Sequence, residues 1–500
     1  MRRYVPYIAV AVLLPVVFLA PLVYKNWQKS RRERFIAETL QTVRQLDALS
    51  HEEALSRLTL NVPKGAVTFL FTGNTQGNLE PCGCYEGQSG GVARRATLVE
   101  QFRNADLPFL LVDAGLWLKP EPVPTEAWGN ADSELERLKF QTYLRAMAQM
   151  EYHAATPSRE DRRWGETFLF NALAEANLPV VSTVPLHSPM FPRHRLVNVG
   201  KTTVALLGAW ETDASFEQVK ASIQEAVNEV SEKADLVALL SSLGPALEAQ
   251  LAREVDGLDL ILSAAGGRRE TVRFPSAATQ REPQTIDGTL LAGSTEGGKT
   301  LGFAQWRGEG GWETGQITMT AEVPPHPLVA ALVEGFYQQV ADESKYHVAG
   351  KRLFAQEALE NEPHNSFIGS TACQSCHQEE YEQWETTAHA AAYHTLLRAQ
   401  RQFYPDCVAC HVTGFGYETG FQIGKPDRQH LGEVGCETCH GPGRLHVSNP
   451  KASNTRAKVE TKLCQQCHNE EHHPGFLQVA QHLRPKVDHT ETLRNIKQVL

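Results

Sequence analysis

Four Cys-x-x-Cys-His units crowd the last quarter of this 500-residue chain: Cys373-Gln374-Ser375-Cys376-His377, Cys407-Val408-Ala409-Cys410-His411, Cys436-Glu437-Thr438-Cys439-His440 and Cys464-Gln465-Gln466-Cys467-His468. The spacing suits thioether attachment of haem, in which both thiols add to porphyrin vinyl groups and the adjacent histidine lies beneath the ring as proximal iron ligand. A lone CxxC is equally at home in a zinc knuckle or a redox dithiol. Four intact copies, each keeping its histidine, favour haem. Between His364 and Leu500 lie 8 of the 10 cysteines and 13 of the 19 histidines, which marks this region as chemically distinct from the rest. The expectation is four covalently bound haem c groups, with His377, His411, His440 and His468 as proximal ligands.

The sixth ligand of each iron must come from elsewhere. Methionine raises haem potentials, but the last methionine is Met319, outside this region. Nine further histidines are available: His364, His389, His394, His430, His446, His472, His473, His482 and His489. Most of the haems are therefore expected to be bis-histidine and low in potential. A haem with only one protein ligand would instead offer an open iron to a small nitrogen or oxygen compound. Any single histidine can also be an ordinary surface residue; His472 and His473, adjacent and beside Pro474, cannot both face one ring.

Elements must hold these groups in place, and the chain ahead of them is long enough for one or two further domains. Met1-Arg2-Arg3 precedes an apolar run from Tyr4 to Tyr24, then Lys25, Lys29, Arg31, Arg32 and Arg34. As a helix that run spans roughly 30 Å, enough for a bilayer core. The rival is a cleaved signal peptide, but the run is long and lacks a clear small-x-small site, so residues 1–25 are expected to be a retained anchor. Positive charge is denser after the run, which by the positive-inside tendency would leave the bulk cytoplasmic. Haem attachment takes place outside the bacterial cytoplasm, and on that ground the bulk is placed in the periplasm, with the anchor in the inner membrane. Residues 26–62 carry apolar positions at helical spacing and read as a helical stalk. The net charge of -10 leaves no basic excess for a nucleic-acid partner.

From 63 to 325, short apolar runs alternate with helical stretches. Strands are expected at Val67–Phe71, Pro108–Val112, Pro179–Ser182, Val204–Leu207, Leu236–Leu240, Leu258–Leu262, Thr289–Ala292 and Phe303–Trp306. Helices are expected at Gly91–Arg103, Ser133–Met150, Phe168–Ala176, Phe216–Ser231 and Pro245–Val255, so this is an α/β domain. Residues 326–365 read as one more helix and a connector. Residues 366–500 hold few continuous apolar runs, and the porphyrins themselves are expected to form their core.

Two resemblances refine the picture. Ile368 to His489 resembles the cytochrome c-554 type of tetrahaem domain, through Ile368-Gly369-Ser370, Trp384 with Ala388-His389-Ala390, the run Cys410 to Gly416, and Cys436 to Gly443 followed by His446-Val447. That likeness implies His389 and His446 as the best distal ligands, with His489 and His482 next. Ala66 to about Thr320 resembles the calcineurin-like metallophosphoesterases of the 5'-nucleotidase type, whose fold is an α/β sandwich of two mixed sheets flanked by helices. Its frame is visible in Gly77, Gly90-Gly91, Ala93-Arg94-Arg95-Ala96, Asp113-Ala114-Gly115, Tyr152, Ala154, Leu240-Ser241, Leu243-Gly244 and Asp259 to Leu262.

Active members of that second family place seven Asp, Asn and His side chains around two metal ions. At the matching positions stand Asn74, Gln76, Leu116, Arg159, Ser242, Ala265 and Gly267, and Glu160 replaces the histidine that would assist the leaving group. Such residues bind divalent metals poorly or not at all, so no dinuclear centre is expected. Open Asn74 and Gln76 beside Arg94, Arg95 and Arg159 could hold an anion, or the arginines could simply be scattered on the surface. Cys82-Gly83-Cys84 remains open between a strained disulfide, a reduced pair, a metal or partner site, and an inert loop.

The expected architecture is thus an N-terminal transmembrane helix, a degenerate phosphoesterase-like sandwich and a mainly helical or irregular multihaem domain. It would act as an electron carrier between redox partner proteins or quinol-linked donors. Two rivals are a haem-based reductase, marked by a high-spin signal that shifts with nitrite or cyanide, and a phosphohydrolase with an appended cytochrome, marked by phosphate release from nucleotides.

Overall fold

The computed structural model describes residues 65–81, 89–105, 107–119, 130–184, 191–264, 283–308, 311–348, 364–469 and 472, with no side-chain description for 130–133. The proposed anchor and stalk, Cys82 and Cys84, Ala265, Gly267, His473, His482 and His489 lie outside them. Among the described residues no helix is long and apolar enough to cross a membrane.

Two mixed sheets face each other. The first runs β11 (Trp312–Thr318), β10 (Thr300–Trp306), β1 (Val67–Thr72), β2 (Phe109–Asp113), β3 (Ala154–Ala155). The second runs β4 (His194–Val199), β5 (Thr202–Ala209), β6 (Leu236–Ser241), β7 (Leu260–Ser263), β9 (Thr289–Gly293), β8 (Gln284–Ile286). In the first sheet β1, β2 and β3 are parallel, and β10 joins β1 antiparallel with Val67 opposite Trp306.

Side-chain alternation explains the apolar runs. Val67, Phe69 and Phe71 of β1 meet Val204 and Leu206 of β5, Ala238 and Leu240 of β6, and Leu260 and Leu262 of β7 between the sheets. The intervening Ala205, Leu207, Val237, Leu239 and Ile261 point the other way, onto α4 (Phe216–Val230) and α5 (Pro245–Glu254) through Val219, Ile223, Val227 and Leu251. Strands covered on both faces have no polar positions to alternate with. Each fully buried Val, Leu, Ile or Phe is worth about 1.5–3 kcal/mol.

Helices α1 (Val92–Asn104), α2 (Asn130–Ala148), α3 (Glu166–Ala176) and α6 (Pro327–Asp342) complete the α/β part, with α6 against α1 and α2. All six helices expected before His364 are present to within a few residues.

The strand expectations need correcting at their polar and irregular members. Pro179–Ser182 is not a strand: Ala155 and Val180 form one isolated bridge. Val181 N–H donates to Ala155 O at 2.9 Å and Thr183 N–H to Gly208 O at 2.7 Å, so the segment crosses from one sheet to the other instead of extending either. Gly208 permits that crossing, since a Cβ there would sit 2.3 Å from Val181 O. β4, β8 and β11 are absent from the expected set because they are edge strands with partly exposed, polar sequences.

Beyond His364 the described chain is short helices and turns: α7 (Gln378–Glu385), α8 (Ala392–Ala399), α9 (Pro405–His411), α10 (Cys436–His440), α11 (Arg444–Ser448) and α12 (Thr461–Cys464). The expectation of a core made by porphyrins alone is corrected here. Phe367, Tyr393, Leu396, Val408, Val412, Phe415, Phe421 and Leu431 form an apolar cluster of the protein's own. Their single, unperiodic placement hides them in the sequence, and turns bring them together.

Loop 115–118, after β2, is held by Asp161, which is fully buried. Its carboxylate accepts from Leu116 N–H (3.2 Å), Leu118 N–H (2.8 Å), Ser158 N–H (2.8 Å) and Ser158 Oγ (2.8 Å). Leu116 has φ 66, a left-handed conformation that a bulky side chain tolerates only when surrounding bonds impose it. Replacing the carboxylate strands three backbone donors, each costing about 1–3 kcal/mol when buried. Asp161→Ala is therefore expected to lower unfolding free energy by about 3 kcal/mol or more in urea titration, and Asp161→Asn by less; an unchanged midpoint for the alanine variant would contradict this role.

Candidate haem-binding site

Each Cys-x-x-Cys-His unit folds as one helical turn. The second and third units lie within α9 and α10. The first and fourth close the same turn: His377 N–H donates to Cys373 O at 3.0 Å, and His468 N–H to Cys464 O at 2.8 Å. Residues i, i+3 and i+4 share a helix face, so both sulfurs and the imidazole of a unit project to one side. None of these eight cysteines is in a disulfide.

Two of the four unit histidines have their tautomer set by the backbone. His411 Nδ1 lies 2.8 Å from Ala392 O, and His440 Nδ1 lies 2.7 Å from Arg456 O. A carbonyl can only accept, so each Nδ1 carries the proton and the lone pair resides on Nε2, the form in which imidazole ligates a metal. Burial pushes the His411 imidazole below its ordinary range; the Ala392 bond opposes this and the charge of nearby His472 adds to it.

His446 repeats the pattern, its Nδ1 being 3.1 Å from Lys451 O. Its ring faces His377 of the first unit, centroids 6.2 Å apart and planes 27° from parallel. His389 in the same way lies 6.0 Å from His468 of the fourth unit, at 56°. Both distal candidates implied by resemblance are thus brought to a unit histidine.

The other histidines are placed differently. His394 is largely exposed and pairs with Glu433 at 2.7 Å. His430 lies against Gly369, ahead of the first unit. His364 sits in a left-handed turn with φ 74, and His472 N–H is tied to Asn469 at 3.0 Å.

Residues 372–441 match the family model of cytochrome c554 and c-prime. This chain carries a cytochrome c554 domain at its C-terminus. Cytochrome c-554 of Nitrosomonas europaea is 40% identical over 93 residues, covering 16% of this chain and 39% of that protein. The chain thus spans well under half the length of this curated relative. The α/β part is similar to a 5'-nucleotidase precursor from Thermus thermophilus (20% identity, TM-score 0.45, 55% of this chain and 59% of that one). It is also similar to a calcineurin-like phosphoesterase from Bacillus subtilis (18% identity, TM-score 0.41, 55% of this chain and 97% of that one). The cytochrome c554 family implies covalently bound haem c and electron transfer, and the helical turns with their backbone-set imidazoles fit that group.

The cytochrome c554 domain ties its units together through a residue that sequence reasoning treats only as part of a motif. Glu437, inside the third unit, is buried; it accepts from Ile368 N–H (3.0 Å) and Gly369 N–H (2.7 Å) ahead of the first unit, and from Gly443 N–H (2.7 Å) after its own. Ser370 Oγ accepts from Cys436 N–H at 3.1 Å, and the thiols of Cys373 and Cys436 come within hydrogen-bonding reach. Burial pushes the Glu437 carboxyl above its usual range, opposed by its amide donors. An acidic residue at a variable position, followed by Gly441-Pro442-Gly443, was the available signal.

Of the positions singled out by the phosphoesterase resemblance, the described ones, Asn74, Gln76, Leu116, Arg159 and Ser242, follow the C-terminal ends of β1, β2, β3 and β6. Asn74 and Gln76 are not open, being 3% and 9% exposed, and Gln76 Nε2 donates to Asn74 Oδ1 (3.1 Å) and Glu296 (3.0 Å). Arg159 pairs with Glu211 at 2.7 Å, and Ser242 Oγ donates to Pro157 O at 3.1 Å. Nor is Arg95 a surface residue; it is 1% exposed and donates to Tyr143 Oη at 2.8 Å, beneath these loops. Neutral amides, a leucine, a guanidinium and a hydroxyl do not fit a pair of divalent cations.

Glu437→Ala is expected to destabilise the protein by about 3 kcal/mol, because it leaves three backbone amides without their acceptor. Glu437→Gln should recover part of this, one amide oxygen replacing two. Thermal melts followed by circular dichroism will read it, and equal midpoints for wild type and the alanine variant would refute the clamp.

Proposed function

We propose that this chain is a membrane-anchored periplasmic tetrahaem c-type cytochrome that passes electrons between redox partners, quinol-linked donors among them, and that its phosphoesterase-like domain is catalytically inactive. The reading rests on four Cys-x-x-Cys-His turns of one geometry, two of whose histidines stand ring to ring with a second histidine.

In this reading Cys373, Cys376, Cys407, Cys410, Cys436, Cys439, Cys464 and Cys467 attach haem, and His377, His411, His440 and His468 are proximal ligands. Bound haem supplies a reversible one-electron iron couple. The protein sets its ligands and surroundings. The backbone carbonyls of Ala392 and Arg456 orient His411 and His440, and Lys451 O orients His446. His446 and His389 are the distal partners of the first and fourth units. His482 and His489 remain the candidates for the others. With no methionine beyond Met319, histidine ligation keeps the potentials low. The inactive phosphoesterase-like domain follows from donors already engaged with one another and chemically unsuited to metal.

Protein matured in a host with the haem-attachment machinery is expected to show four haems per chain by pyridine haemochrome assay. Intact mass should carry four covalent haems together with residues 1–25. Colourless protein, or cysteines holding zinc, would overturn the proposal, and a high-spin ferric signal that shifts with nitrite would favour the reductase instead. His446→Ala and His389→Ala are each expected to turn one low-spin haem high-spin in the electron paramagnetic resonance spectrum while leaving haem content at four; unchanged spectra would remove those two residues as ligands.

A further inference from the structure

The α/β part and the cytochrome c554 domain meet at the second unit. Phe336 and Tyr337 of α6 pack edge-on against Tyr404, the residue that opens α9, at 5.7 and 5.2 Å. Arg401 lays its guanidinium 3.7 Å from the Tyr337 ring centroid. Its Nη2 donates to Glu80 Oε1 at 2.7 Å and to Glu334 Oε2 at 3.1 Å, and Tyr337 Oη donates to Glu80 Oε2 at 3.1 Å. The Arg401 side chain is only 13% exposed. Successive turns carry this contact to the attachment site: Tyr404 N–H donates to Arg401 O, and Cys407 N–H to Tyr404 O.

We propose that Arg401 and Glu80 are positioning residues for the second haem, and that the α/β domain supplies Glu80, Glu334 and Tyr337 as a wall that fixes α9 and sets the potential of the haem at Cys407 and Cys410. This rests on the haem reading above. A negative charge near the iron favours the ferric state and lowers the potential, and a positive charge raises it. The guanidinium is well covered, while the Glu80 and Glu334 side chains are 39% and 41% exposed, so solvent screens the carboxylates more than the cation. Both charges lie beside the start of α9, whose first turn carries Cys407. The α/β domain thereby acquires a definite task.

Opposite charges make the proposal separable from a merely structural role. Loosened packing, which admits water, would move the potential the same way whichever partner is removed. Charge effects must have opposite signs. Spectroelectrochemical titration of the full-length protein is expected to show one of its midpoint potentials falling in Arg401→Met and rising in Glu80→Gln. Each shift should correspond to a threefold to tenfold change in the reduction equilibrium, tenfold being about 59 mV for one electron. Arg401→Lys should restore the potential but not the melting temperature, since lysine keeps the charge and loses the planar fork. Shifts of the same sign, or none, with four haems retained would overturn the proposal. Should Arg401→Met lose haem, the near-isosteric Glu80→Gln decides alone. A wild-type protein without haem would sink the haem reading itself, a result plainly distinct from unmoved potentials.

Discussion

Glu437 gathers the amides of Ile368, Gly369 and Gly443 onto one carboxylate inside the protein, and the placement of the first and third units depends on it. Short helices cannot hold themselves in register; α10 is five residues long and α12 is four. Their loops also present more buried backbone donors than helix or sheet can satisfy. A buried acceptor serving two segments nearly seventy residues apart in sequence solves both problems at once. The same device recurs in the α/β part, where Asp161 collects the amides of Leu116, Leu118 and Ser158.

The loops that follow β1 and β2 hold an unusual backbone. Asn74, Gln76 and Leu116 all have left-handed φ values of 49, 54 and 66. Such strain persists only where neighbours impose it, and here Asp113 does so beside Asp161. Asp113 accepts from Gly115 N–H and Trp117 Nε1, both at 2.7 Å, and from Thr72 Oγ1. Burial raises its carboxyl above the usual range against the pull of these donors. The frame of these loops is thus held by hydrogen bonds to two buried carboxylates. Helix α6 then joins this frame to the cytochrome c554 domain through Tyr337, Tyr404 and Arg401, so the two regions meet through specific aromatic and charged contacts.

Much was legible in the residues alone because it depends on local spacing. A Cys-x-x-Cys-His run turns its sulfurs and imidazole to one side of any helical turn, so four intact copies point to haem attachment from local spacing. Central strands such as Val67–Thr72 and Leu236–Ser241 were visible because burial on both faces demands continuous apolar sequence. Polar edge strands such as His194–Val199 were not, since nothing in their pattern distinguishes them from loops. Pro179–Ser182 has the composition of a strand, but its hydrogen bonds divide between two sheets.

Tertiary structure alone decided which histidine stands opposite which. His446 lies 69 residues from His377, and His389 lies 79 residues from His468, and no periodicity spans such gaps. It also decided that Asn74 and Gln76 are buried and bonded to each other, and that Glu80 belongs beside Arg401. Chemistry carried by one turn of chain is written in residue type and spacing. Partnerships between distant turns follow from how the sheets, short helices and buried carboxylates pack, and only the folded chain brings those atoms within range.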